Sequence, residues 1–134
     1  MLTNRNQELD KAHAKTVAEQ IVNAISQCNY AIIQDIVNDM SVWTTEFIHD
    51  LIETYKEDNE VTFDKYGTPC KFNPQYSCGS VYEQEKFYFW INGEGFGYLY
   101  DFTSNGDLND LTLMLKFYYK GDNIEVEFED LHVM

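Results

Sequence analysis

No stretch of this sequence is apolar for more than a few residues, so nothing in it reads as a membrane span. The opening MLTNRNQELDK has no apolar core of the kind a secretory signal needs. Cysteine is scarce and odd in number: Cys28, Cys70 and Cys78, none in a CxxC pair. Free thiols in a reducing cytoplasm are the simplest reading, with a Cys70–Cys78 bridge as the alternative. Metal-ligand spacing is absent too. His13, His49 and His132 are far apart, and neither HxxxH nor HExxH occurs, so no metal site is expected. No nucleophile sits in a recognisable setting: Cys78-Gly79-Ser80-Val81 is not a GxSxG elbow. Asn92-Gly93-Glu94-Gly95-Phe96-Gly97 is neither GxGxxG nor followed by a helix, and turn chemistry accounts for it. His49-Asp50 looks like an acid–base pair, but neighbours on a helix point about 100° apart. We expect no catalytic residues and no cofactor.

Basic residues are few. Nine Lys and Arg stand against 23 Asp and Glu, a net charge of −14. The excess is even along the chain: four basic and eleven acidic groups in residues 1–60, five and twelve in residues 61–134. There is no acidic tail, and the whole surface is expected to be negative. Such a surface repels nucleic acid and anionic membrane and attracts basic partners, or serves solubility alone.

What is present is a hydrophobic content of 44% and an aromatic content of 16% in 134 residues, enough for one domain with a ring-rich core. The chain divides by period. Residues 7–28 have helical spacing, with Leu9, Val17, Ile21, Ala24, Ile25 and Cys28 on one side. A second helix is expected over 30–39. A third starts at Thr44 or Thr45 and buries Phe47, Ile48, Leu51, Ile52 and Tyr55. Near residue 60 the period becomes two. Val61–Phe63 is a short strand candidate, and 67–80 reads as an irregular connection holding both prolines. Four strands follow, over about 82–91, 96–103, 110–119 and 124–133. They are joined by Asn92-Gly93, Asn105-Gly106 and Gly121-Asp122, which supply the positive φ of hairpin turns. The last strand slips phase at Glu129–Asp130, which implies a β-bulge. One face of this antiparallel meander is apolar, and only the helices can cover it. The expected fold is α+β, one domain over 1–134, with three N-terminal helices (about 7–58) on a curved four- to five-stranded sheet (about 60–133).

Three features invite a functional reading. Both parities of strand 82–91 are aromatic, so its rings, together with Phe96, Tyr98, Tyr100 and Phe102, cannot all face one core. The strip is a ring-rich core, a ligand cavity or an interface patch. Glu125, Glu127 and Glu129 alternate along the last strand, about 7 Å apart, near the phosphate spacing of a nucleic-acid strand. That row is a solvated face or a mimic of a nucleic acid. Asp101, Asp107 and Asp110 cluster about the hairpin that follows Phe102, where turn capping accounts for most of them.

The order of helices and sheet resembles the NTF2-like cone, in which a helix packs inside a bent sheet. The segments Gly97-Tyr98-Leu99-Tyr100-Asp101-Phe102, Asp110-Leu111-Thr112-Leu113 and Glu129-Asp130-Leu131-His132-Val133-Met134 resemble a small bacterial NTF2-like family of unassigned function, similar to immunity proteins of contact-dependent and polymorphic toxin systems. The resemblance implies a small, acidic, cytoplasmic, non-enzymatic protein that blocks the active site of a basic toxin, a nuclease being the expected kind. On that reading Glu125, Glu127, Glu129, Asp101, Asp107, Asp110, Tyr98, Tyr100 and Trp90 are the candidate contact residues. The alternative is an NTF2-like pocket protein or enzyme acting on a small apolar molecule in an aromatic-lined cavity. The oligomeric state is not fixed by the sequence.

Overall fold

The structure is a computed structural model, and it describes residues 6–70 and 83–133. In chain order the elements are α1 (Gln7–Ser26), a 3-10 turn (Tyr30–Ile32) running into the short α2 (Ile33–Ile36), α3 (Thr45–Asn59), β1 (Glu85–Phe89), β2 (Gly95–Ser104), β3 (Asp107–Lys120) and β4 (Asn123–Val133). The fold is α+β. The four described strands form one antiparallel sheet in the order β1-β2-β3-β4.

The helices begin where side-chain oxygens meet unpaired backbone N–H groups. The Asn6 carboxamide oxygen accepts from the N–H of Glu8 (3.0 Å) and of Leu9 (3.3 Å). Thr44 Oγ1 accepts from Phe47 N–H at 3.1 Å. Each cap is worth about 1 kcal/mol. Glu60, at φ 54°, ends α3 in a left-handed turn. The helix expected over 30–39 is only a 3-10 turn and one α-turn. The backbone of Asn38 and Asp39 is instead engaged by β4: Asn38 N–H donates to Val126 O (2.9 Å), and Phe128 N–H donates to Asp39 O (2.8 Å). This segment covers part of the β4 edge, which would otherwise offer unpaired groups to another chain.

The hairpins follow the turn residues. Asn105 and Gly106 both have positive φ, 53° and 80°. Asp64 grips this turn, accepting from Thr103 Oγ1 (2.7 Å), Asn105 N–H (3.0 Å) and Gly106 N–H (2.8 Å). Residues 61–63 therefore pass the sheet without joining it, and the strand expected there is replaced by an anchored loop, with Phe63 buried against Phe102. The bulge at Glu129 is present: Met114 pairs with Asp130 and Leu115 with Phe128, leaving Glu129 as the extra residue. That shift returns Leu131 to the core opposite Leu113. A second irregularity lies between Asp101 and Thr103.

The core lies between the helices and one sheet face. Phe96, Tyr98, Tyr100, Phe102, Leu111, Leu113, Leu115, Phe117, Val126 and Phe128 pack with Ala14, Ala18, Ile21, Ile25, Ile48 and Ile52. Not every apolar helix residue reaches this core. Leu9 and Phe47, expected inside, are 67% and 59% exposed.

Candidate functional site

The face of the sheet away from the helices has no covering layer among the described residues. The period of two decides what it presents. Phe87 and Phe89 of β1 face the core, while Tyr88 and Trp90 face outward. The indole of Trp90 lies on β2, where Gly95 and Gly97 give it a flat bed. A Cβ on Gly95 would stand 2.9 Å from Trp90 Cζ3, and one on Gly97 3.9 Å from Trp90 Nε1. Gly95 thus leaves room for the tryptophan, while a Cβ on Gly97 would stand at ordinary contact distance from it. Turn chemistry accounts only for Gly93, at φ 74°.

Tyr118 of β3 meets Trp90 edge-on, with ring centroids 5.3 Å apart. Leu99 and Met114 sit opposite each other beside them, both half-buried. Acids border this apolar centre. Tyr118 pairs with Glu125 in register, and its hydroxyl donates to Glu127 Oε1 at 2.9 Å. Partial burial, then the bond to Glu127, pushes the Tyr118 phenol up. Lys116 Nζ lies 3.1 Å from Glu129 Oε2, a contact that raises the lysine. Asp101 Oδ1 accepts from Thr112 Oγ1 at 2.7 Å, and Asp130 and His132 follow on the same face. Rings at the centre and charges at the rim are the anatomy of a protein-docking surface.

The expected contact residues divide. Trp90, Glu125, Glu127, Glu129 and Asp101 are brought to this outer face. The glutamates do not form a uniform row, because the bulge displaces Glu129 and Lys116 neutralises it. Asp107 is exposed at the start of β3, beyond the rings, and Asp110 lies in β3. Tyr98 and Tyr100 are a correction: they are 1% and 3% exposed on the core side, where no docked partner can touch them. Their hydroxyls are satisfied inside. Tyr98 donates to Glu85 Oε2, which also accepts from Tyr66 at 2.5 Å. Tyr100 Oη accepts from Gly67 N–H at 3.1 Å. Burial first, and then Glu85, pushes the Tyr98 and Tyr66 phenols far up. Glu85 is an acid on the apolar parity of β1, and that misfit was the signal in the sequence for a buried partner. Tyr118 carries no such signal, since it lies between Phe117 and Tyr119, which hold the inward parity of a strand whose pattern marks only that side.

A second polar cluster joins the segment that follows α1 to α3. Tyr30 donates to Glu53 Oε2 (2.5 Å), and Lys56 Nζ reaches both that oxygen (3.1 Å) and Cys28 Sγ (3.3 Å). The Tyr30 bond, then Lys56, holds Glu53 below the usual carboxylate range, although burial opposes it. His49 Nδ1 does reach Asp50 Oδ1, at 3.0 Å, contrary to the helical-wheel expectation, with both side chains in solvent. Burial and the carboxylates of Asp101 and Asp107 push the Cys70 thiol up. The bridge to Cys78 lies outside the described residues. No group of three His, Cys, Asp or Glu among the described residues is arranged to hold a metal, and no described helix is long and apolar enough to cross a membrane.

No curated protein and no solved structure matches the chain. The model of one family, the domain of unknown function DUF7668, matches residues 22–134. The outer face, its ring pair and its carboxylates all lie within that span, and the chain belongs to the DUF7668 family.

Proposed function

We propose that this protein acts by binding, as an immunity or antitoxin-like inhibitor that docks its outer sheet face onto a basic toxin of the nuclease class and occludes the toxin's active site. The observation that carries the proposal is the uncovered face itself: Trp90, Tyr88 and Tyr118 grouped over two glycines, rimmed by Asp101, Glu125, Glu127 and Asp130, on a chain of net charge −14. An acidic surface of this kind steers a basic partner and speeds its encounter, and a central aromatic cluster then supplies most of the affinity. The exposed, unpaired thiol of Cys28 supports a reducing compartment, the cytoplasm. A sheet bent by two irregularities, with α1 on its inner side, supports an NTF2-like cone as the fold type.

The test is reconstitution with a basic toxin encoded beside this gene. Nanomolar binding and loss of toxin activity are expected. Trp90→Ala should leave the fold intact and weaken binding by about 2 kcal/mol or more, roughly thirtyfold. A toxin that neither binds nor loses activity sinks the proposal.

A further inference from the structure

At the β4 side of the outer face, Tyr118, Glu125, Glu127, Asn38, Asp39 and Lys120 line a groove of about 380 Å³. Three carboxylates there meet a single ammonium. That ammonium is placed tellingly: Lys120 Nζ stands 5.8 Å from the centre of the Tyr118 ring, so the chain's own cation already sits on the aromatic face of the groove. Lys120 is exposed, and a cation–π contact at an exposed site is weak, so this occupant is easily displaced.

The walls do not share that looseness. Asn38 N–H donates to Val126 O at 2.9 Å, and the Asn38 side-chain oxygen accepts from Val126 N–H at 2.8 Å. Asp39 bridges to Glu127, and its Oδ1 is held by Ser41 N–H at 2.7 Å. Glu127 is fixed by the Tyr118 hydroxyl, which uses one of roughly four acceptor positions on the carboxylate. One wall of the groove is thus held in place, with acceptor capacity to spare on Glu127, while Glu125 is an exposed carboxylate beside it.

We infer that this groove receives the guanidinium of an arginine on the partner protein, stacked on Tyr118 and forked to Glu125 and Glu127, with Lys120 holding the cation's place in the free protein. An arginine fits better than a lysine because its planar fork both stacks on a ring and donates to two acceptors, which a point-charge ammonium cannot do together. The inference rests on the reading of the outer face as a docking surface and adds to it the chemistry of one anchor.

The probes are the capped peptide Gly-Arg-Gly, its lysine counterpart and its uncharged citrulline counterpart, titrated into the full chain and followed by NMR. The arginine peptide is expected to shift Tyr118, Lys120 and Glu127 with millimolar affinity, several-fold tighter than lysine, with no response to citrulline. Glu127→Gln should weaken it about tenfold. Lys120→Gln should tighten it two- to fivefold, because a competing cation is gone. Shifts confined to another surface, citrulline binding as well as arginine, lysine binding as well as arginine, or an unchanged or weaker affinity in Lys120→Gln would each overturn the inference. The two levels fail separately. Peptide binding in the groove with no basic protein bound removes the inhibitor reading alone. A bound toxin, indifferent to Glu127→Gln and without a peptide response, removes the groove alone.

Discussion

Gly95 and Gly97 are alternate residues of one strand, and the structure assigns them opposite tolerance to the same substitution. A methyl on Gly95 would stand 2.0 Å from the backbone oxygen of Phe117 and 2.9 Å from the Trp90 ring. Backbone in the middle of a sheet cannot yield as a flexible side chain can, so the β2–β3 pair must part locally. Overpacking costs about 1–3 kcal/mol, and losing an adjacent ladder bond adds about 1 kcal/mol. The Glu94 oxygen that accepts from Tyr119 N–H at 2.9 Å is next in line. Gly95→Ala should therefore cost about 2–4 kcal/mol. At Gly97 the nearest atoms are 3.9 and 4.0 Å away, ordinary contact distances. There Gly97→Ala should be neutral or stabilise by up to about 0.5 kcal/mol, through a less free unfolded chain. The assay is urea unfolding followed by circular dichroism. With a slope of about 2 kcal/mol per molar, Gly95→Ala should lower the midpoint by about 1–2 M and Gly97→Ala should barely move it. Equal losses at the two positions, or a larger loss at Gly97, would refute the bed-for-tryptophan reasoning.

Asp64→Ala removes the acceptor of three hydrogen bonds in the Thr103–Gly106 turn and should cost about 2–4 kcal/mol by the same unfolding assay; a loss under about 0.5 kcal/mol would show that the turn holds itself. The Tyr98 and Tyr66 phenols are raised above their ordinary value of 10, so their contribution is complete below that pH and declines as pH climbs beyond it. Alkaline titration should show their phenolate absorbance only together with loss of circular dichroism, and reversible ionisation in the folded chain would contradict their burial. The rate of association with a basic toxin should fall at least about tenfold between low and physiological salt, and a salt-independent rate would mean that the −14 charge does not face the partner.

Local chemistry was readable along the chain. Thr44 as a cap, Asn105-Gly106 as a hairpin turn, the shared face of Phe96, Tyr98, Tyr100 and Phe102, and the slip at Glu129 all follow from preferences that act within a few residues. Alternation also required that some rings of β1 point outward, and Tyr88 and Trp90 do. The length of the second helix was not readable, because Asn38 and Asp39 gave up helical bonds for partners on β4, 88 and 89 residues away in sequence. The fate of residues 61–63 was hidden for the same reason: Asp64 found its three donors on a distant hairpin.

By itself the sequence determined periods, turns, caps and net charge, since each depends on neighbours along the chain. Only the tertiary structure decided which tyrosines are core and which are surface, because that depends on whether a distant group can satisfy the hydroxyl. Glu85 and the backbone of Gly67 let Tyr98 and Tyr100 be buried, while Tyr118 stays outside with Glu127.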